Sequence, residues 1–176
     1  MRPIEVWFQD EMRVGQQGSL SRTWARRGTR PMAVCQRQFI SAYMYGACCP
    51  ERDKAVGLVL PHVNMKMMGL HLAEVSRCVV EGSHAVVVLD RATWHVSEKL
   101  VVPSNVSLVP LPPYSPELNS AEQVWQQLRK LKLSNVAYAD YDSILDSACE
   151  AWNMFVNEKG NIKKLCSRKW AKINKI

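Results

Sequence analysis

Apolar and polar positions in the first sixty residues alternate with the period of two that is typical of β-strands. The pattern predicts a strand over residues 4–12, and Gly15 and Gly18 then indicate a tight turn. β-Branched and aromatic residues predict three further strands, over residues 19–26, 38–48 and, more briefly, 55–60. We therefore expect the chain to begin as a β-meander.

The period changes to that of a helix at Asn64. Apolar residues recur at helical spacing from Met65 to Val79, and Gly82 is the expected C′ residue. Further along, the pattern predicts a buried strand over 84–89, a short helix over 96–101, a strand over 105–111, and amphipathic helices over 121–131 and 142–157. A meander followed by alternating strands and helices predicts an α/β fold, with a mixed β-sheet flanked by α-helices.

Length and composition narrow the classes of protein that fit this pattern. The 176 residues suffice for a single domain, and the longest aliphatic runs are too short to cross a bilayer. The amino terminus lacks a secretory signal, so we expect a cytoplasmic protein that does not use a membrane. The six cysteines include no C-x-x-C pair and the four histidines lack metal-ligand spacing, which indicates reduced thiols and no zinc site.

Positive charge is concentrated in two stretches of the chain. The formal net charge is +7, no acid lies between Glu11 and Glu51, and none follows Lys159. Two such stretches in one domain favour a polyanionic partner. The alternative is that each stretch is simply a solvated surface that keeps the protein soluble.

Three acids interrupt this basic background at informative positions. Asp10 and Asp90 each end a strand-like run, and Glu122 lies in the first turn of a helix. Carboxylates at the carboxyl ends of neighbouring strands would bind a hard cation such as Mg²⁺. Two such cations would support in-line displacement at phosphorus without a side-chain nucleophile. Residues positioned to support this site are Glu11, His95 and Asn119.

Each acid also has a structural explanation. Asn119 and Glu122 fit a capping box at the start of the helix, with Asn119 as the N-cap. Asp90 would begin a turn through Arg91 and Ala92, and Asp10 alone is uninformative. His95 would serve equally well as a packing residue. The placement of all three acids together is what favours the catalytic interpretation.

Four segments resemble the DDE endonuclease domain of bacterial insertion-sequence transposases related to the mariner group. They are Val6-Trp-Phe-Gln-Asp-Glu-Met-Arg-Val-Gly15, Thr23-Trp-Ala-Arg-Arg-Gly-Thr-Arg-Pro31, Val88-Leu-Asp-Arg-Ala-Thr-Trp-His95 and Leu111-Pro-Pro-Tyr-Ser-Pro-Glu-Leu-Asn-Ser-Ala-Glu-Gln-Val-Trp125. The resemblance implies an RNase H-like fold, and Mg²⁺- or Mn²⁺-dependent cleavage at transposon ends followed by strand transfer. The family's three acids fall on Asp10, Asp90 and Glu122. The chain departs from the family at Arg91, where Asn is frequent, and at Ser120, where Pro is common.

The resemblance also implies an organisation for the chain. We expect one catalytic domain over residues 1–176, with a core over 4–155 and a basic carboxy-terminal segment over 159–176. Such transposases usually carry helix-turn-helix modules upstream, so we expect the chain to be a catalytic half without that module. It would act as a homodimer on transposon ends and target DNA, with no small-molecule cofactor. The residues expected to contact DNA phosphates are Arg26, Arg27, Arg30, Arg129, Lys163, Lys164, Arg168 and Lys169.

Two other functions remain open at the level of sequence. One is a different RNase H-like nuclease, such as a junction resolvase or an RNA–DNA hybrid nuclease, which the segment from Pro112 to Trp125 argues against. The other is a non-catalytic DNA-binding or regulatory remnant of a mobile element. The remnant hypothesis predicts DNA binding that does not depend on the carboxylate of Asp90.

Overall fold

A computed structural model describes residues 2–18, 21–22, 24–32 and 36–172, and it contains one five-stranded sheet. The strands are β1 (Ile4–Gly15), β2 (Ser41–Cys49), β3 (Lys54–Leu60), β4 (His84–Leu89) and β5 (Val106–Pro110). Their order across the sheet is β3-β2-β1-β4-β5. β1, β2 and β3 are antiparallel neighbours, whereas β1, β4 and β5 are parallel neighbours. The sheet is therefore mixed, as predicted.

Helices cover both faces of this sheet. They are α1 (Met65–Cys78), α2 (Ala121–Leu128), α3 (Tyr141–Asn157) and α4 (Asn161–Cys166), and α2 continues into a π-helical turn over Arg129–Leu133. Side chains alternate along β1, so Trp7 packs with α1 on one face while Met12 packs with α2 and α3 on the other. The strand that carries Asp10 is thus buried between two apolar layers.

Two glycines allow tryptophans to lie directly on the sheet. Gly46 of β2 and Gly57 of β3 are cross-strand partners. A Cβ atom at Gly46 would lie 2.4 Å from Cη2 of Trp125, and one at Gly57 would lie 2.4 Å from Cε2 of Trp152. Neither position therefore has room for a side chain. Because both residues are glycines, α2 and α3 can pack close to the strands.

The basic carboxy-terminal segment, which was expected outside the core over 4–155, packs onto the same face as α2. Asp53 accepts hydrogen bonds from the backbone N–H groups of Gly160 and Lys163 and so caps α4. Ile162 and Cys166 are buried in the cluster formed by α2 and α3. The ring of Trp170 meets that of Phe8 edge to face, with 5.7 Å between centroids. The segment therefore contributes apolar residues to the domain.

Most of the predicted elements are present, and three details were wrong. The predicted strand over 19–26 is not a strand at residues 21–22 and 24–26, and residues 19, 20 and 23 lie outside the described part. The predicted helix over 96–101 is a series of turns. Helix α1 ends with Val79 as its C-cap, so Gly82 lies beyond the C′ position, in the turn before β4. Helix α4 was not predicted.

Two further features concern membrane-spanning helices and the cysteines. Among the residues described, no helix combines the length and apolarity needed to cross a membrane. Cys48, Cys49, Cys78, Cys149 and Cys166 are free thiols, while Cys35 lies outside the described residues.

Candidate active site

The parallel pairing of β1 with β4 places two carboxylates at one edge of the sheet. The last residue pair between these strands is Phe8 with Val88. Asp10 lies two residues farther along β1, and Asp90 follows the end of β4 directly. Because parallel strands end at the same edge, both acids project from the carboxyl end of this pair, as expected from the sequence.

Helix α2 brings the third acid to the same edge. The indole Nε1–H of Trp125 donates a hydrogen bond of 2.8 Å to Oδ2 of Asp10, which ties α2 to β1. The side-chain amide of Asn119 donates to the backbone carbonyl of Gln9 at 2.8 Å and holds the loop that precedes the helix. Glu122 is half-buried in the first turn of α2.

The predicted capping box at the start of α2 is wrong. The N-cap residue is Ser120, which makes no side-chain capping bond, and Oδ1 of Asn119 accepts from the N–H of Ala121 at 3.1 Å. With the described residues, the carboxylate of Glu122 forms no hydrogen bond and no ion pair. It is therefore available to bind something that enters the cleft.

The three acids line one open cleft of about 410 Å³. The loop between β5 and α2 forms the opposite wall, and within it Tyr114 is fully exposed with a φ of 57°. Bulky residues rarely adopt that backbone conformation, and strain of this kind is common at functional sites. The other lining residues are Arg91, Ala92, Leu111, Pro112, Pro113, Ser115, Pro116 and Asn119.

Burial and the nearby charge of Glu122 raise the pKa of Asp10 to about 7. Hydrogen bonds from the backbone of Glu11 and from Trp125 oppose this shift without cancelling it. Two carboxylates that share one cleft repel each other when both are ionised, and a bound cation would remove that repulsion.

His95 bridges the second acid to a buried glutamate. Its Nδ1 lies 2.7 Å from Oδ1 of Asp90, and its Nε2 lies 2.8 Å from Oε1 of Glu11. Burial lowers the pKa of His95, but the hydrogen bonds to Asp90 and Glu11 outweigh it and raise the pKa to about 9. The same hydrogen bond from His95 holds the pKa of Asp90 below its usual value. At neutral pH the imidazolium therefore lies between two carboxylates.

Asp90 also makes the turn contact that its structural explanation predicts. Its Oδ1 accepts the N–H of Ala92 at 2.9 Å in addition to the contact with His95. Its second oxygen, Oδ2, has no hydrogen-bond partner among the described residues. One oxygen therefore fixes the local turn while the other faces the cleft.

The donor set suits a hard divalent cation, since it consists of carboxylate oxygens. Within the described ranges, however, no three His, Cys, Asp or Glu side chains are grouped closely enough to hold one ion together. The three acids thus share a cleft without forming a closed coordination sphere. A bound ion would keep water ligands or draw Glu122 inward, and Glu122 has no protein contact to release.

The residues expected to bind DNA lie at three separate places. Arg26, Arg27 and Arg30 are exposed on the segment that connects β1 to β2. Lys163, Lys164 and Lys169 are exposed on α4 and the turn that follows it, where Arg168 is half-buried. Arg129 is half-buried where α2 becomes π-helical.

The direct role of Trp125 in the site was missed by sequence reasoning. The residue was assigned only to the apolar stripe of α2, although a buried indole N–H requires an acceptor. Asp10 is that acceptor, which is a polar contact that apolar periodicity does not reveal.

Comparison with known proteins connects this site to a family. The sequence profile of the DDE superfamily endonuclease family matches residues 5–145. The uncharacterized protein y4pE/y4sA of Sinorhizobium fredii (strain NBRC 101917 / NGR234) is 49% identical over 130 residues, or 74% of this chain and 96% of that protein.

Solved structures of Mos1 transposase share the fold. In the paired-end complex with the left transposon end, the match has a TM-score of 0.68 at 13% identity and covers 92% of this chain and 51% of that one. For the catalytic domain of Mos1 mariner transposase, the TM-score is 0.63 at 12% identity, with 90% of this chain and 73% of that one covered. The chain thus spans about half of the longer Mos1 chain.

These likenesses confirm the RNase H-like α/β fold and the mariner-group resemblance that were predicted from the sequence. The residues matched by the endonuclease profile include the three acids of the cleft, Asp10, Asp90 and Glu122. Because that profile matches well over half of the chain, this protein belongs to the DDE superfamily endonucleases.

Proposed function

We propose that this endonuclease domain is the catalytic domain of a transposase, which cuts DNA phosphodiesters and joins the new 3′ ends to target DNA. The observation that carries the proposal is the shared cleft, in which Asp10, Asp90 and Glu122 arrive from two parallel strands and a helix. Both the position of the acids and the raised pKa of Asp10 favour a site that functions with a cation bound.

In this proposal Asp10, Asp90 and Glu122 hold two Mg²⁺ or Mn²⁺ ions. Solved paired-end complexes of Mos1 exist with Mn and with Mg, which supports this choice. When bound, such ions activate the attacking water or 3′-hydroxyl and stabilise the leaving oxygen.

The surrounding residues have supporting roles. His95 holds one oxygen of Asp90 in place, and the hydrogen bond from Trp125 does the same for Asp10. Glu11 anchors His95 from the other side. Asn119 fixes the loop that begins α2, so that Glu122 faces the cleft.

DNA is the proposed substrate, and basic residues that are exposed or half-buried are proposed to hold its phosphates. The residues in question are Arg26, Arg27, Arg30, Lys163, Lys164, Arg168 and Lys169. Lys163 and Lys164 lie on α4, which is fixed to the domain by Asp53 and by two buried side chains. We further propose that the active complex is a homodimer, because two transposon ends must be joined in one reaction.

The test is Mn²⁺-dependent nicking of supercoiled DNA by the wild-type chain and by Asp90→Asn. Asparagine retains an oxygen that accepts from His95 and Ala92 but removes the charge. We expect nicking to fall by more than about 100-fold. DNA binding should be unchanged or tighter, because a negative charge near phosphate is lost.

The matched control is Glu98→Gln, which removes an exposed acid from the same loop outside the cleft. This variant should nick DNA at the wild-type rate. Equal nicking by wild type and Asp90→Asn would contradict the proposal. Nicking without joining of a pre-cleaved 3′ end to a target would instead indicate a different RNase H-like nuclease.

A further inference from the structure

β1 extends well beyond its parallel neighbour. It pairs with β4 from Ile4 to Phe8 and then continues to Gly15 with β2 alone beside it. Among the described residues, no strand pairs with the other edge of its backbone past Asp10, and an open edge offers unpaired N–H and C=O groups. This open stretch starts at the catalytic cleft and leads away from it.

A second pocket, of about 230 Å³, lies along the end of this open edge. No residue of β2 or β4 lines it. Its walls come from the end of β1, from the turn that follows and from the π-helical turn after α2. π-Helical turns are rare and frequently lie at functional sites. The lining residues are Met12, Arg13, Val14, Gly15, Gln17, Gly18, Arg129 and Leu133.

The pocket contains two arginines and no acid. Within the described part of the chain, Arg13 donates hydrogen bonds only to neutral oxygens of Gln17, the backbone carbonyl at 3.4 Å and Oε1 at 3.3 Å. The half-buried guanidinium of Arg129 has no hydrogen bond or ion pair with the described residues. By contrast, Arg52 is paired with Glu5, and Lys132, three residues beyond Arg129, is paired with Glu150.

A guanidinium that is partly removed from water and lacks an acceptor is a binding group for an anion. Its planar fork of N–H donors matches the oxygens of a phosphate. Arg129, at the end of α2, is such a group. The exposed Arg13 of β1, whose contacts are with neutral oxygens, lines the same pocket, and together the two cations favour a phosphate over a carboxylate of the protein itself. No carboxylate among the described residues lines the pocket.

Each arginine lies on the same element as one of the catalytic acids, so helix and strand geometry give its distance from that acid. Arg129 follows Glu122 by seven residues, which is about two helical turns, so both side chains lie on the same side of the helix about 10 Å apart along its axis. Arg13 follows Asp10 by three strand residues, which is also about 10 Å along β1, and the odd spacing turns its side chain toward the opposite face, at the edge where the pocket lies. The two values agree, and about 10 Å corresponds to one or two nucleotides along a strand, because the strand winds around the duplex and its successive phosphates lie farther apart than the axial rise of about 3.4 Å.

We propose that Arg13 and Arg129 form a phosphate-binding pocket for the DNA strand that passes through the catalytic cleft. The pocket holds a backbone phosphodiester roughly one or two nucleotides from the scissile phosphate. It fixes the register of the strand without reading its bases. This inference rests on the proposed function in taking DNA as the ligand, and its test does not require cleavage.

The experiment measures binding of short duplexes in EDTA, so that no reaction occurs. Each duplex carries one neutral methylphosphonate linkage at a different position along a strand. With wild type, a neutral linkage at one position, roughly one or two nucleotides from the cleavage point, should weaken binding by about 10-fold. With Arg129→Gln or Arg13→Gln, the same linkage should have no further effect, because the partner of that phosphate is gone.

Salt dependence provides a second readout. Each of the two glutamine variants should lower the slope of log affinity against log salt concentration by about 1. Lys66→Gln is the matched control, because Lys66 is an exposed cation on α1, which covers the other face of the sheet. Arg129→Lys keeps the charge and should restore most of the slope, which separates a lost contact from a disturbed fold.

The outcomes are distinct. Equal sensitivity of wild type and Arg129→Gln to every neutral linkage would overturn the pocket. A second result would also overturn it: inorganic phosphate that binds the wild type but not Arg129→Gln, and that does not compete with DNA. The pocket would then be a site for a free anion. A position-specific effect in a chain that does not nick DNA would support the pocket and contradict the proposed function.

Discussion

The indole N–H of Trp125 donates to the carboxylate of Asp10 at 2.8 Å, and this bond joins α2 to β1. It ties two of the three acids together, because Glu122 lies on the same helix. The ring of Trp125 is itself seated on Gly46, the cross-strand partner of Asp10. The position of Glu122 relative to Asp10 therefore depends on how closely one tryptophan approaches the sheet.

Replacing Trp125 by Phe removes the N–H donor while keeping most of the ring. Since this hydrogen bond lowers the pKa of Asp10, its loss should raise that pKa above about 7. We expect the affinity for Mn²⁺ to fall by about 10-fold, as is typical when a support of a metal ligand is removed. Isothermal titration calorimetry with Mn²⁺ at pH 7 measures this affinity. An unchanged affinity would show that Asp10 is positioned without Trp125.

Gly46→Ala should push Trp125 off the sheet. The new Cβ would lie 2.4 Å from Cη2 of that ring, and crowding of this kind costs about 1–3 kcal/mol of stability. Nicking should fall as well, because α2 carries Glu122. Urea denaturation and the nicking assay measure the two effects.

Gly69→Ala is the matched control for Gly46→Ala. Gly69 lies in α1, and a Cβ there would come no closer than 4.0 Å to another part of the chain. This variant should be more stable by about 0.5–1 kcal/mol, because alanine favours a helix. Equal destabilisation by the two substitutions would argue against the close approach of Trp125.

The substitution Asp10→Asn tests the raised pKa of Asp10, because a pKa that differs between the folded and unfolded states makes the free energy of unfolding depend on pH. The pKa is raised from 3.8 to about 7 in the folded protein, so the folded state holds a proton that the unfolded state has released. Between about pH 4 and pH 7 this group therefore lowers the free energy of unfolding as pH rises. The stability difference between Asp10→Asn and wild type should grow in favour of the variant across that window.

The measurement is urea denaturation in EDTA at several pH values from 4 to 8. A difference between Asp10→Asn and wild type that stays constant with pH would mean that the carboxyl of Asp10 ionises normally. Added Mn²⁺ should stabilise the wild type at pH 7 and reverse the order, because a ligand of the folded state raises its stability.

His95→Phe should destabilise the protein by about 3 kcal/mol, because the largely buried carboxylate of Glu11 loses its ion-pair partner and keeps only the neutral hydrogen bond from Gln9. The pKa of His95 is raised to about 9, so its ion pairs stabilise the fold fully below pH 6.5 and are lost as pH rises through 9. The difference between the variant and wild type should therefore shrink above pH 9. Thermal denaturation at pH 7 and pH 10 tests this, and an equal loss at both pH values would indicate packing alone.

The part of the site at the strand ends could be predicted from the sequence. Asp10 and Asp90 end short runs whose composition predicts strands, and parallel strands bring their ends together. The contact of Trp125 with Asp10 could not be predicted, because it depends on the missing side chain of Gly46. The pairing of His95 with Glu11 likewise joins residues 84 positions apart, with no local signal.

The incorrect elements have similar physical causes. Residues 96–101 have enough apolar residues for a helix, but the loop that contains them is held by His95 at one end and by the burial of Leu100 at the other. Trp24 looked like a strand residue, yet it is fully exposed and has no sheet beside it. Helix α4 was hidden by its lysines, and a cap from Asp53, more than a hundred residues away, stabilises its first turn.

The backbone hydrogen bonds that pair β1 with β4 set the spacing between Asp10 and Asp90, so this spacing does not depend on side-chain packing. The place of Glu122 depends instead on side-chain packing, through Trp125 and the glycine beneath it. The width of the cleft therefore depends in part on β2, which carries Gly46 and supplies none of the described residues that line the cleft.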